Sequence, residues 1–373
     1  MNNVKKFYDL LVSEGVGFFS GVPDSLLRDF CAFLSRHAGE PGHIVAANEG
    51  GAVALAAGYH LATGKIPLVY MQNSGLGNAI NPLLSLADAE VFSIPMVLLI
   101  GWRGRPGELD EPQHIKQGRV QNALLEAIGI NYWVLENDYE HKVRELIRYA
   151  CLEKRPVALV CPKGFWEQEC PPAADEPSYE LTRERALEVI TEAFSDSAFV
   201  STTGKASREL FEIRKKRGEG HERDFLTVGS MGHCSQIALS IALFREKKHV
   251  VCVDGDGALL MHAGSLPVIG AQRPKNLLHI LINNGVHESV GGQKTVAFNF
   301  DFSRIAKEFG FKCVSFVETE KELVSGLGKC KNTEGPNFIE VRVSPGSRKD
   351  LGRPSVAPIK NKELFMWFLR EAV

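Results

Sequence analysis

The chain has 373 residues, 44% apolar and 24% charged, an ordinary globular mix long enough for two α/β domains. Its formal net charge of −2 supplies no basic face for a general hold on nucleic acid, and no apolar run reaches the length of a membrane span, so neither partner is expected. Eight cysteines, at 31, 151, 161, 170, 234, 252, 313 and 330, form no CxxC pair; several sit inside apolar runs, as in VALVC and HVVCVD, which reads as buried free thiols in a reducing cytoplasm.

The opening segment, MNNVKKFYDLLVSEG, lacks the apolar core of a signal peptide and sets Val4, Phe7, Leu10 and Leu11 on one face of an amphipathic helix. Apolar, β-branched runs then alternate with helical patterns. They predict strands over 17–21, 44–47, 67–71, 96–101 and 157–161, and after the middle over 199–203, 249–254, 277–283 and 338–343. Continuous apolar strands between helices indicate parallel sheets covered on both faces. The stretch CPPAADEPSYELTRE is rich in proline and charge and interrupts this pattern. The expected fold is therefore α/β, two doubly wound parallel-sheet domains over 1–165 and 183–373, joined by a linker over 166–182.

Two motifs in the second half carry chemistry. The predicted strand HVVCVD runs into Gly255-Asp256-Gly257, and LLHILI runs into Asn283-Asn284, with 25 residues between Gly257 and Asn283. Both stand at strand carboxyl ends, where open parallel sheets bind ligands. Asp256 and an asparagine amide offer hard oxygens suited to Mg²⁺ on a diphosphate, and glycines let the backbone approach phosphates. GSMGH (229–233) precedes the helical pattern CSQIALSIALF. In STTGKASRELF, Thr203 and Gly204 mark either a further phosphate contact or a plain helix start. In the first half Glu49 opens an alanine- and glycine-rich helix, and taken alone it reads as a first-turn glutamate placed by the dipole. GLGNAI (75–80) lacks the third glycine of a dinucleotide fingerprint and instead shapes a loop before a helix.

GDG, an interval of this length and then NN is similar to the signature of thiamine-diphosphate enzymes. The resemblance implies that Asp256, the Asn284 side chain and the Val286 carbonyl ligate Mg²⁺, and that Gly257 and Ala258, beside Gly255, contact the diphosphate. It implies that Met231 holds thiamine diphosphate in a bent shape and that Gly229 offers its carbonyl to the cofactor's amino group. Glu49 would share a proton with the pyrimidine of a cofactor held by another subunit. The 1–165 domain would then bind pyrimidine and the 183–373 domain diphosphate and Mg²⁺. A homodimer or higher homo-oligomer, with its active site at the subunit interface, is implied.

The chain lacks the middle domain of longer relatives. Its segments SGVPDSLL, ANEGGAVALAAGYHLATGK, NSGLGNAINPL, IGWRGRPGELDEPQH and GSMGH resemble the phosphonopyruvate decarboxylases and, next, the sulfopyruvate decarboxylases. The resemblance implies a carboxy-lyase that converts 3-phosphonopyruvate to phosphonoacetaldehyde and CO2 in phosphonate biosynthesis. The alternatives are sulfopyruvate as substrate, or a non-catalytic partner subunit that binds cofactor. An anionic substrate calls for a guanidinium, and Arg103 and Arg105 are the candidates. Ser25, His287 and Lys294 are further substrate-binding candidates, the last two because VHESVGGQKT follows the asparagine pair directly. Asp24 and His114 are candidate catalytic groups. Asp24 follows a proline at a strand end, where it serves either proton transfer or the N-cap of the helix SLLRDF.

Overall fold

The computed structural model describes residues 2–39, 41–167 and 178–371. The chain forms two compact units, Met1–Pro172 with Ser289–Gln293, and Ala173–Glu288 with Lys294–Val373. Residues 168–177 of the expected linker lie outside the described residues.

In the first unit β1 (Val16–Gly21), β2 (His43–Val45), β3 (Ile66–Gln72), β4 (Met96–Gly101), β5 (Asn131–Val134) and β6 (Pro156–Cys161) pair in the order β2-β1-β3-β4-β6-β5, every pair parallel. The intervening helices are α1 (Val4–Ser13), α2 (Arg28–His37), α3 (Glu49–Thr63), α4 (Leu76–Pro82), α5 (Pro112–Ala127) and α6 (Tyr139–Glu153). Strand alternation divides the core into two layers. Leu68, Tyr70, Val97 and Leu99 join Phe7, Phe30 and Val143 on one face. Val69, Met71, Met96 and Leu98 join Ala52, Val53, Leu76 and Leu125 on the other. Helix α1 buries Val4, Phe7, Leu10 and Leu11 as its periodicity predicts, each contributing about 1.5–3 kcal/mol. Phe165 and Trp166 extend this core past β6.

In the second unit β7 (Ala198–Ser201), β8 (Asp224–Leu226), β9 (Val250–Gly255) and β10 (Leu277–Asn283) combine with the strands Val314–Val317 and Asn337–Arg342. The order is Val314–Val317, Asn337–Arg342, β10, β9, β7, β8, again parallel throughout. Helices α7 (Arg183–Ala193), α8 (Lys205–Lys216), α9 (Cys234–Phe244) and the short α10 (Asp256–Met261) place the residues of interest.

Taking these six strands in chain order, both sheets show the same spatial succession: second, first, third, fourth, sixth, fifth. In each the chain reverses direction between the first and third strands. That reversal opens a crevice at their carboxyl ends, the usual ligand position in doubly wound sheets. In the first unit Gly21 and Gln72 end the two flanking strands, and in the second Ser201 and Gly255 do.

Two predicted strands end early. The one expected over 44–47 stops at Val45, before Asn48 caps α3, and the one over 199–203 stops at Ser201, before Gly204 turns at φ +95° into α8. Asn131–Val134, Asp224–Leu226 and Val314–Val317 were not predicted. Each lies at a sheet edge and spans three or four residues, too short to write a continuous apolar run. No helix among the described residues is long and apolar enough to cross a membrane.

Candidate active site

At the head of α3, the Asn48 side chain accepts from the Gly51 N–H at 2.8 Å and fixes the first helical turn. Glu49 occupies that turn and is 6% exposed. Its Oε2 accepts from Asn78 Nδ2 at 2.9 Å. A Cβ placed on Gly75 would lie 2.3 Å from Glu49 Oε1, so glycine at 75 is what lets the carboxylate occupy this slot.

A second group gathers beyond β1, β3 and β4. Asp24 is fully buried, and a Cβ on Gly101 would lie 2.2 Å from its Oδ2. That oxygen accepts from the Leu26 N–H at 3.0 Å, while Oδ1 has no hydrogen-bond partner among the described residues. Asp24 is not the cap of α2, which starts at Arg28 behind Leu27. Burial drives its carboxyl up to about 6, against the opposing pull of the Leu26 N–H and the Arg103 charge.

A carboxyl raised in the fold favours the proton-bound form. Its stabilising contribution is complete below the unfolded value near 3.8 and is lost as pH rises through about 6. Asp24→Asn should therefore stabilise the protein at pH 8 by about 2–3 kcal/mol, at about 1.4 kcal/mol per unit, with the gain fading toward pH 4. Urea unfolding at the two pH values measures this, and an equal gain at both would contradict it.

Arg103 is less available than its sequence position suggests. Its Nε donates to Asp110 Oδ2 at 2.8 Å, its Nη2 donates to Asp110 Oδ1, and its Nη1 donates to Ser25 Oγ at 2.8 Å. The Asn73 side chain also holds the Arg103 backbone, donating to its carbonyl at 2.8 Å and accepting from its N–H at 3.3 Å. Asp110 further accepts from the Gly104 N–H at 2.8 Å. Gly104 sits at φ +68°, and a Cβ there would lie 2.0 Å from the His114 carbonyl oxygen, which presses this loop onto α5. His114 is nearly buried, and burial together with the Arg103 charge lowers its imidazole to about 4, leaving it neutral at pH 7. Arg105 stands apart at the rim, 41% exposed, over the Trp102 ring at 5.2 Å. The structure thus brings Asp24, Ser25 and Arg103 together, places His114 within reach of the Arg103 charge, and leaves Arg105 outside.

In the second unit Asp256 is 4% exposed. Its Oδ2 accepts from Thr295 Oγ1 at 2.6 Å, and backbone N–H groups of Gly257 and Asn284 also favour its charged form. Burial outweighs these neutral donors and raises the carboxyl to about 6. Asn284 is 6% exposed; its Oδ1 accepts from the Val286 N–H at 3.2 Å and its Nδ2 donates to Glu288 at 3.0 Å. A Cβ on Gly257 would lie 2.9 Å from the His287 ring and 3.4 Å from Met231 Cε. Met231, Gly257 and His287 therefore converge, and the His287 imidazole is lowered by burial to about 4. Ser230 and Gly232 both have positive φ, turning the Gly229–Met231 segment toward α10, where a Cβ on Gly232 would lie 2.8 Å from the Ala258 carbonyl. Thr203 and Gly204 precede α8, which has no side-chain cap hydrogen bond. Lys294 is exposed.

Residues 1–125 match the family described as thiamine pyrophosphate enzyme, N-terminal TPP binding domain, and residues 202–341 match its C-terminal TPP binding domain. The chain is 35% identical to phosphonopyruvate decarboxylase of Streptomyces viridochromogenes, over 96% of this chain and 93% of the relative. It is 36% identical to phosphonopyruvate decarboxylase of Streptomyces hygroscopicus, over 97% and 92%. The chain belongs to the thiamine-pyrophosphate-dependent decarboxylases. Sulfopyruvate decarboxylase of Methanosarcina acetivorans, 30% identical over 93% of this chain and 92% of the relative, stands beside these.

The residues present fit the cofactor that this decarboxylase family binds. A buried carboxylate held by neutral donors is complemented by a divalent cation, and carboxylate, amide and carbonyl oxygens suit Mg²⁺. Gly257 keeps open a space bordered by Met231 and His287. The sequence motifs mark Glu49, Asp256 and Asn284 but not their partners Asn78, Thr295 and Glu288, nor Asn73 behind Arg103. Asn78 stands three residues after Gly75, on the same side of a turn, and that spacing was the available signal.

Proposed function

We propose that the chain decarboxylates 3-phosphonopyruvate to phosphonoacetaldehyde and CO2, using thiamine diphosphate and Mg²⁺, as a step of phosphonate biosynthesis. The observation that carries the substrate is the near full-length match to two phosphonopyruvate decarboxylases. The reaction breaks the bond between the carboxylate and the 2-oxo carbon and adds one proton to that carbon.

Asp256, the Asn284 Oδ1 and the Val286 carbonyl would hold Mg²⁺. Gly255, Gly257, Ala258, Thr203 and Gly204 would border the diphosphate, and Gly229 and Met231 the rings. When bound, the cofactor supplies an electron sink for the departing bond. Glu49 would exchange a proton with the pyrimidine of the bound cofactor. Its burial beside Asn78 and Gly75 keeps that exchange away from bulk water. Asp24, raised to about 6, keeps a minor protonated fraction at pH 7, far larger than an ordinary aspartate would keep, and serves as the acid at the reacting carbon. Ser25, the remaining donors of Arg103 and the neutral imidazoles of His114 and His287 orient the acid groups of the substrate, while Lys294 and Arg105 contribute charge from exposed positions.

We further infer that the active form is at least a homodimer, with Glu49 of one subunit serving cofactor held by another. The support is the outer side of α3. Leu61 is 72% exposed, and Leu55, 38% exposed, lines an apolar groove of about 680 Å³ with Phe18, Ile44, Ala54, Gly58 and Tyr59.

Turnover compared across three substrates tests the specificity. The expected order in kcat/KM is phosphonopyruvate, then sulfopyruvate lower by about 10-fold, then pyruvate lower by about 10³-fold, because pyruvate leaves the anion-binding groups unpaired. The match to sulfopyruvate decarboxylase makes sulfopyruvate the second reading, and a preference for it would replace the first.

A further inference from the structure

Glu288 stands four residues after Asn284 and accepts from its side-chain amide. Its side chain is 12% exposed, yet three donors converge on it. Lys205 Nζ reaches Oε1 at 2.6 Å, and Arg183 Nη1 and Asn284 Nδ2 reach Oε2 at 2.6 and 3.0 Å. Arg183 is anchored in turn, its Nε and Nη2 donating to the buried Glu209 at 2.6 and 2.8 Å. With a guanidinium on one oxygen and an ammonium on the other, both at 2.6 Å, Glu288 is an ion-paired carboxylate.

An ionised carboxylate accepts hydrogen bonds and donates none. Only the NH2 end of the Asn284 amide can therefore face Glu288. A flipped amide would set oxygen against oxygen and turn a nitrogen, which has no lone pair to give, toward the place of a metal ligand. The Val286 N–H, donating to Oδ1 at 3.2 Å, favours the same end, but it is a neutral contact and weaker than the charged one with Glu288 at 3.0 Å.

We propose that Glu288, braced by Arg183 and Lys205, is a positioning residue that fixes the Asn284 amide with Oδ1 free to ligate the divalent cation. This rests on the reading of Asp256 and Asn284 as metal ligands. Glu288 acts through Asn284 and touches neither cation nor substrate in this role.

The test is calorimetric titration of Mg²⁺ into the full chain at saturating thiamine diphosphate. Glu288→Gln should lower Mg²⁺ affinity by about 10–100-fold, the usual cost of losing an outer partner of a metal ligand. Asn284→Asp presents oxygen at both ends and needs no orienting, but faces Glu288 as a like charge, so it too should bind Mg²⁺ more weakly. Combining the two removes that repulsion, and the double variant should bind Mg²⁺ more tightly than Glu288→Gln alone. Losses that simply add would show that Glu288 supports the fold without orienting Asn284, and would overturn the proposal. Should Glu288→Gln fail to fold, Glu288→Asp keeps the charge beside Arg183 and Lys205 while drawing the carboxylate back from Asn284. A loss of at least about 10-fold is expected there also. Unchanged affinity in the folded variant overturns the positioning role alone if Asp256→Ala has lost Mg²⁺, and overturns the metal-ligand reading with it if Asp256→Ala has not.

Discussion

Glu49→Gln should reduce kcat by about 10³-fold while leaving the affinity for thiamine diphosphate and Mg²⁺ within a few-fold of the parent, as expected for removal of a positioned proton-transfer group. The two effects separate because the substitution changes so little else. Glutamine has the same length, and its carbonyl oxygen can accept from Asn78 Nδ2 where Glu49 Oε2 does now. Its amide also fits the slot above Gly75, where a Cβ would have met the carboxylate. What it cannot do is release and recover a proton. The residues proposed to hold the metal, Asp256 and Asn284, belong to the other unit of the chain. Steady-state turnover and calorimetry on the same preparation check both halves of the expectation. Turnover close to the parent would remove Glu49 from the chemistry, and lost cofactor affinity would recast it as a binding group.

Asp256→Ala should show the converse, a loss of at least about 100-fold in Mg²⁺ and thiamine diphosphate affinity with the cofactor-free fold intact. Burial already raises this carboxyl to about 6 in the protein without cation, so its removal relieves a desolvation cost at neutral pH. Thr295 loses one acceptor at 2.6 Å, which offsets part of that relief. A thermal-shift measurement distinguishes the terms. The parent should gain stability when both ligands are added, about 2.7 kcal/mol at a hundred times Kd, and the variant should gain almost none. An unchanged ligand-induced shift would refute Asp256 as a ligand of the cation.

The central strands and the residues at their carboxyl ends were legible because burial on both faces writes them as unbroken apolar runs ending in polar motifs. LLHILIN is the strand Leu277–Asn283 residue for residue, and Glu49, Asp256 and Asn284 stand where those motifs placed them. Edge strands such as Asn131–Val134 were not legible, since a run of three or four residues is too short for a period to show. The shared strand order of the two sheets left no short repeat either, because topology constrains apolar pattern and not residue identity.

Side-chain partnership was the part least available from the sequence. The two arginines of GWRGRPG read alike, yet Asp110 and Ser25 engage Arg103, while Arg105 lies over Trp102 at the surface. Asp24 offered two readings, and the cap of α2 at Leu27 removes one of them. Glu288 drew no notice because its partners, Arg183 and Lys205, come from the starts of two other helices. Long-range pairs of this kind become visible only when the topology is known.

The most direct measurement is of product. Purified protein is incubated with phosphonopyruvate, with and without thiamine diphosphate and Mg²⁺, and CO2 and phosphonoacetaldehyde are quantified together. Equal amounts of the two products, formed only when both cofactors are present, are predicted. No turnover of phosphonopyruvate with both cofactors bound, or turnover that persists without them, would contradict the assignment.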